Sequence, residues 1–241
     1  MRFAYLTNQG LVRANNEDFV YGQDTALGDL NNFFVVADGM GGYQGGEYAS
    51  QFVVRRTHEV LRRRLRRGEP KTVLEQTLVL VNKELYSVSQ ETDSLRGMGT
   101  TVVMATEKNG IWTVLNAGDS RLYHYDGVLN QITKDHSWVE EMVARGALSR
   151  DDPIYDARKN VITRAVGIAP FVEPDLFELK PAPGDRILMC SDGLSNMLDR
   201  ETISRILYRK RDPEEAAARL VELANENGGK DNISVIVIET E

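Results

Sequence analysis

The stretch FFVVADGMGG, residues 33–42, decides how this chain is read. Phe33 to Ala37 form a continuous apolar run of strand length, and the run breaks off at Asp38-Gly39. A carboxylate at the end of a buried strand is costly to keep charged unless a cation or a full set of donors meets it. The pattern recurs in VLNAGDSR at 114–121 and ILMCSDG at 187–193, and is inverted in GGKDNISVIVIE at 228–239, where Asp231 precedes the apolar run. NNED at 15–18 adds acidic groups ahead of a short strand. One such Asp-Gly reads as a turn. Several of them, set beside the most apolar segments instead of in polar loops, point to a shared cation cluster.

Composition sets the class. With 241 residues, 41% of them hydrophobic, the chain can bury a substantial core and is expected to form a single domain over 1–241. The net charge of -7 argues against nucleic-acid binding and suits a protein that concentrates carboxylates around cations. The lone Cys190 excludes a disulfide framework and reads as a small core residue in a reducing compartment. No segment has the length and apolarity of a membrane span, and the first residues lack a signal-peptide core, so a soluble, cytoplasmic protein is expected, with a monomer as the default.

Helical spacing of Ala49, Phe52, Val53, Val60, Leu61 and Leu65 predicts a helix from Gly45 to about Leu65, with Arg56 interrupting its stripe. A second runs from Pro70 through Val88, after a polar connection at Arg66 to Glu69, and a third opens at Pro213. The arginine-rich stretch Arg55 to Arg67 reads as a solvated helix face. Strands are expected at 3–7, 33–37, 100–106, 111–116, 121–125, 176–179, 186–190 and 233–239, with tight turns at Lys108 to Gly110 and at Asp126-Gly127. Hairpins dominate, which favours antiparallel sheets with outer helices. The mixed segment 137–167 has a short helix through Trp138 and Met142 but no clear period beyond it, and is expected to border the active cleft, with a mobile flap at about 145–165.

Carboxylates without a cysteine cluster or a spaced histidine pair favour hard, oxygen-loving ions, magnesium or manganese over zinc. Two such ions about 4 Å apart can bind phosphate oxygens and acidify a water for in-line attack.

VRANNED, VVADGMGG, GMGTT, LNAGDSR, ITKDHS, NVITRAVG, LMCSDG and GKDNISVI follow one another in this order along nearly the whole chain. In that order they resemble the protein phosphatase 2C family of metal-dependent serine/threonine phosphatases, in its compact bacterial form. The resemblance implies an α+β fold, a four-layer α/β/β/α sandwich of two mainly antiparallel sheets flanked by helices. It implies that Asp38 bridges two Mn2+ or Mg2+ ions, that the Gly39 carbonyl ligates one of them, and that Asp192 and Asp231 complete the direct ligands. Asp119, with Asp192, resembles the pair that holds a third ion in bacterial members. Asp18 resembles the carboxylate that orients the attacking water or takes its proton, with Glu17 at its edge. Arg13 resembles the arginine that grips the substrate phosphate, and Asn232 is expected to orient Asp231. His136 is expected to bond Asp135, and His58 and His124 to be solvated or locally paired.

The implied reaction is hydrolysis of phosphoserine and phosphothreonine in proteins, among them proteins phosphorylated by a bacterial serine/threonine kinase, which is itself an implied partner. The chain departs from animal members, which carry a histidine after the first Asp-Gly where Met40 stands here, so the source of the leaving-group proton is open. Two other readings stay open on sequence: a metallohydrolase for small phosphate esters or nucleotides, and a catalytically silent module that binds phosphoproteins.

Overall fold

The structure is a computed structural model describing residues 1–42, 45–63 and 68–241. In chain order it contains β1 (Arg2–Asn8), β2 (Asp18–Gln23), β3 (Phe33–Met40), α1 (Gly45–Arg62), α2 (Pro70–Glu91), β4 (Gly99–Thr100), β5 (Val102–Lys108) and β6 (Ile111–Ala117). There follow β7 (Arg121–Tyr125), β8 (Leu129–Gln131), α3 (Trp138–Ala144), α4 (Pro153–Arg158), β9 (Asp175–Leu179) and β10 (Arg186–Cys190). The chain ends with α5 (Asp192–Ser195), α6 (Arg200–Arg209), α7 (Pro213–Glu226) and β11 (Ile233–Glu239).

The strands form two antiparallel sheets, one ordered β1-β11-β10-β7-β8 and the other β2-β3-β5-β6-β9, with β4 paired to β3. Period-two alternation builds the layers. Val35 and Ala37 of β3 pack against Val53 of α1 and Leu74 and Leu78 of α2. Their neighbours Phe34 and Val36 point the other way, into a core between the sheets with Ile187, Met189, Ile236 and Ile238. Leu188, Cys190, Val235 and Val237 then face Ile206 of α6 and Leu220 of α7. The result is the expected α/β/β/α sandwich.

Local chemistry accounts for most boundaries. Pro70 and Pro213 occupy the first turns of α2 and α7, and Asp212 caps α7 by accepting from the N–H groups of Glu214 and Glu215. Asn109 and Gly110, with φ of 56° and 78°, make the tight β5–β6 turn. Arg56, which breaks the apolar stripe of α1, reaches Glu84 of α2 at 2.6 Å and Glu59 at 2.7 Å, tying the two helices together. Leu65 and the connection at Arg66 and Arg67 lie outside the described residues.

Several elements differ from the sequence expectation. The strand expected over 100–106 is two strands, because Thr101 turns its backbone N–H to the Asp38 carbonyl. β8 and α6 were not anticipated, and the segment after α3 contains the further short helix α4. Among the described residues no helix is long and apolar enough to cross a membrane.

Candidate active site

The acidic strand ends converge where the two sheets meet. Asp18 in β2 lies directly opposite Asp38 in β3. The Asp38 backbone is held on both sides: its carbonyl accepts from Thr101 N–H at 2.8 Å and Thr100 Oγ1 at 2.9 Å, and its N–H donates to Thr101 Oγ1 at 3.2 Å. Thr101 Oγ1 shares a further hydrogen bond, 2.7 Å, with Ser120 Oγ beside Asp119. Gly39 is squeezed between two carbonyls, since a Cβ there would lie 2.1 Å from the Gly46 oxygen and 2.6 Å from that of Glu17. Only glycine fits this close approach.

The other sheet delivers Asp192 and Asp231 to the same place. Gly193 abuts the β11 end so closely that a Cβ would stand 1.9 Å from the Asn232 carbonyl. Asp192 Oδ2 accepts from Asn196 Nδ2 at 3.0 Å, one helical turn on. Asp231 accepts from Asn232 N–H and, at 2.7 Å, from Arg13 Nη2. Asp18 is only 5% exposed; its Oδ2 accepts from Ser191 Oγ at 2.7 Å, while Oδ1 is buried without a partner. Asp119, also 5% exposed, likewise leaves Oδ1 buried and unpartnered.

Burial, and then mutual repulsion, drive these carboxyls toward their neutral forms. Burial raises Asp18 to about 7, with Asp192 and Asp231 adding to the shift after the Ser234 and Ser191 hydrogen bonds oppose it. Asp119 rises to about 8, from burial and then from Asp192 and Asp135. Asp192 rises to about 6, from burial and then from Asp231. Asp38 goes well above its ordinary value, because burial is joined by Asp18, Asp192, Asp119 and Asp231. A divalent cation answers that repulsion.

The donors fit such an ion. They are hard oxygens, and two of them are buried and unpaired. Among the described residues no three acidic, histidine or cysteine side chains are grouped so as to hold a metal ion by themselves, so water would supply much of the coordination. Such sparse ligation suits Mg2+ or Mn2+, which keep several waters and take only a few carboxylates.

The structure brings Asp18, Asp38, Asp119, Asp192 and Asp231 close enough to repel one another, and gives the other expected residues the following partners. Arg13, expected to grip the substrate phosphate, is 52% exposed and pairs with Asp231. Glu17 sits against Gly46, where a Cβ would fall 2.8 Å from its carboxyl carbon. Asn232 does contact Asp231, but through its backbone. Its side chain instead sews down the 9–17 loop, accepting from Glu17 N–H and donating to the Gln9 and Asn15 carbonyls. His136 does not bond Asp135: its Nδ1 accepts from Gly118 N–H and its Nε2 lies 3.3 Å from Asp175. Asp135 instead takes a two-pronged contact from Arg121, the stronger donor. His124 is locally paired with Asp185 at 2.8 Å, and His58 lies edge-on to Tyr21. Cys190 is fully buried, its thiol pushed up to about 12, which removes it as a nucleophile. Sequence reasoning missed Ser191, although the LMCSDG motif contains it.

A model of protein phosphatase 2C matches residues 12–225. The chain belongs to the protein phosphatase 2C family. It is 37% identical to the serine/threonine phosphatase stp of Listeria monocytogenes over 243 residues, 99% of this chain and 96% of the relative. Its fold matches the crystal structure of the serine/threonine phosphatase Stp1 from Staphylococcus aureus with a TM-score of 0.91 at 30% identity, covering 99% and 94% of the two chains. It also matches the catalytic domain of the serine threonine protein phosphatase PstP, solved with 2 manganese ions, with a TM-score of 0.85 at 36% identity, covering 100% and 98%. Like its family, this protein phosphatase 2C is a metal-dependent serine/threonine phosphatase.

In this protein phosphatase 2C the segment after α3 does border the site. A cavity of about 130 Å³ is walled by Asp119 and Asp192 on one side and by Tyr155, Asp156, Lys159 and Asn160 on the other. A larger cavity, about 680 Å³, lies beyond the Arg121–Asp135 pair and contains none of the five central aspartates.

Proposed function

We propose that this protein phosphatase 2C removes phosphate from phosphoserine and phosphothreonine in proteins by direct attack of water, without a phosphoenzyme intermediate, and that in a bacterial cytoplasm it opposes a serine/threonine kinase. The observation that carries this reading is the convergence of Asp38, Asp192 and Asp231 from both sheets, with Asp18 facing Asp38 across β2 and β3. The bacterial serine/threonine phosphatases among its relatives support the choice of substrate.

Asp38, the Gly39 carbonyl, Asp192 and Asp231 would hold two ions, and Asp119 with Asp192 a third. Mn2+ or Mg2+, when bound, supplies positive charge for the phosphate oxygens and lowers the pKa of water. Asp18 leaves Oδ1 unpaired, and that oxygen would orient the attacking water and take its proton. Arg13 holds Asp231 through Nη2 and, being half-exposed, keeps further guanidinium N–H groups for the substrate phosphate. Met40 puts no acid where animal members carry a histidine, so the leaving oxygen takes its proton from water.

The size of the cavity at Asp119 and Asp192 favours protein substrates over nucleotides. Enclosed small-ligand sites run to about 300–1,000 Å³, whereas this one is about 130 Å³. The deciding assay measures phosphate release from a phosphothreonine peptide and from nucleotides, with EDTA and with Mn2+ restored, for wild type and Asp38→Asn. Peptide turnover that needs Mn2+ and Asp38 is expected; turnover in EDTA would sink the proposal, and faster nucleotide hydrolysis would move it to small esters.

A further inference from the structure

We propose that Ser191 is a positioning residue for the reaction, acting through Asp18; the inference rests on the reading of Asp18 given above. Ser191 follows β10 directly, ahead of α5, and is fully buried, and its Oγ donates to Asp18 Oδ2 at 2.7 Å. The hydroxyl has little freedom to point elsewhere. Its oxygen accepts from Ser234 N–H at 3.0 Å, which restrains the rotamer, and another acceptor, the Asn232 carbonyl, stands farther off at 3.5 Å. Ser234 is in turn fixed: its Oγ lies 2.8 Å from Thr7 Oγ1, which accepts from Asn16 Nδ2 at 2.9 Å.

This chain of contacts crosses from one sheet to the other. Asp18 belongs to the sheet that carries Asp38, whereas Ser191 and Ser234 belong to the sheet that delivers Asp192 and Asp231. Ser191 makes a short hydrogen bond to the Asp18 carboxylate, with the Ser234 hydroxyl also favouring its ionised form, and with Oδ2 tied down by Ser191 the unpaired Oδ1 is the oxygen left for the reaction. Removing the hydroxyl loosens the carboxylate and takes its short Ser191 donor from the buried Oδ2.

The test is a double-mutant cycle on the full chain with Mn2+ and a phosphothreonine peptide, comparing wild type, Ser191→Ala, Asp18→Asn and the double variant. Ser191→Ala is expected to lower kcat by about 10- to 100-fold, with KM and the Mn2+ concentration for half-activation each within about twofold, and Ser191→Thr to recover most of the loss. In the Asp18→Asn background Ser191→Ala is expected to add less than about twofold. Independent, multiplying losses overturn the proposal, as does a Ser191→Ala defect that appears only as a shifted Mn2+ requirement, since that places the effect on Asp192. If Asp18→Asn alone leaves kcat unchanged, the reading of Asp18 fails; if only Ser191→Ala does so, that reading stands and the Ser191 proposal falls. Should Ser191→Ala not fold, Ser191→Cys, close in shape but a weak donor, takes its place with the same expectations.

Discussion

Arg13 Nη2 rests 2.7 Å from the Asp231 carboxylate, joining the residue read as the phosphate grip to one read as a metal ligand across 218 positions of sequence. The contact orients the guanidinium at the rim of the site and fixes which of its donors remain for substrate. A lysine ammonium can neutralise Asp231 or reach the phosphate, but lacks the planar fork that serves both. Arg13→Lys is therefore expected to lower kcat/KM for a phosphothreonine peptide by about tenfold, and Arg13→Ala by about 10- to 100-fold. Steady-state kinetics at saturating Mn2+ check this, and an Arg13→Lys enzyme with wild-type turnover and KM would remove Arg13 from the site.

The raised carboxyl groups make the metal-free protein sensitive to alkaline pH. Asp18 and Asp119 titrate at about 7 and about 8 when folded, against about 3.9 for an unfolded aspartate. The folded state thus holds protons that the unfolded state has released, so stability is greatest below the unfolded value and is lost as pH rises through the folded ones. His58 and His136, both shifted downward by burial, are neutral in either state above pH of about 7.5 and do not blur that window. In EDTA, Tm is expected to fall by about 3 °C or more between pH 7.5 and 9. Mn2+, which favours the ionised carboxylates, should raise Tm more at pH 9 than at 7.5; a flat Tm in EDTA would contradict the electrostatic account.

Asp38 carries a sharp conflict between function and stability, because burial and then four other aspartates raise its pKa. Asp38→Asn keeps the shape and removes one like charge. We expect activity to fall at least about 1,000-fold while the EDTA-treated protein melts higher than wild type. Calorimetry and phosphate release on the same preparation check both halves, and a variant that loses stability along with activity would show that Asp38 is held for packing instead.

The apolar runs that end in aspartate were legible because strand period and turn chemistry are local. So was the layering, since neighbours such as Val35 and Val36 must face opposite sides of a sheet. α6 escaped notice because its buried residues, Ile203, Ile206 and Leu207, are few among charged ones; its Asp199 cap, which accepts from Thr202 N–H, was the available signal. β8 is three residues long, too short for any period. Partnerships across distant sequence were not legible at all: nothing local tells that Ser191 serves Asp18, that Asn232 holds the 9–17 loop, or that Arg121 takes Asp135 from His136.

The squeeze on Gly39 is a packing statement that one methyl group tests. A Cβ there meets two backbone oxygens, at 2.1 and 2.6 Å, and neither can rotate away. Gly39→Ala is expected to cost about 3 kcal/mol or more of stability and to abolish Mn2+-dependent turnover. Gly42→Ala, in the same glycine-rich stretch but with no atom of the described residues within 4 Å of the new methyl, should be close to neutral. Urea denaturation of the pair measures the contrast, and equal stabilities would refute the squeeze.

If, as we propose, residues at about 145–165 form a movable flap, Glu140 of α3 is one of its anchors. Glu140 of α3 accepts from Arg150 Nη2 at 2.7 Å and from the Tyr155 hydroxyl, and Arg158 of α4 lies 5.2 Å from the Trp138 ring centroid. Glu140 touches none of the central aspartates, so removing it should change how the flap is held and leave the chemistry alone. In Glu140→Ala, trypsin is expected to cut after Arg145 and Arg150 about tenfold faster, because local opening is no longer opposed by two charge-assisted contacts. KM for a phosphorylated protein should rise several-fold, while hydrolysis of a small aryl phosphate, which needs no wall beyond Asp119 and Asp192, should stay within about twofold of wild type. Unchanged proteolysis would show that Glu140 does not restrain the flap; equal losses on both substrates would place Glu140 with the catalytic groups instead.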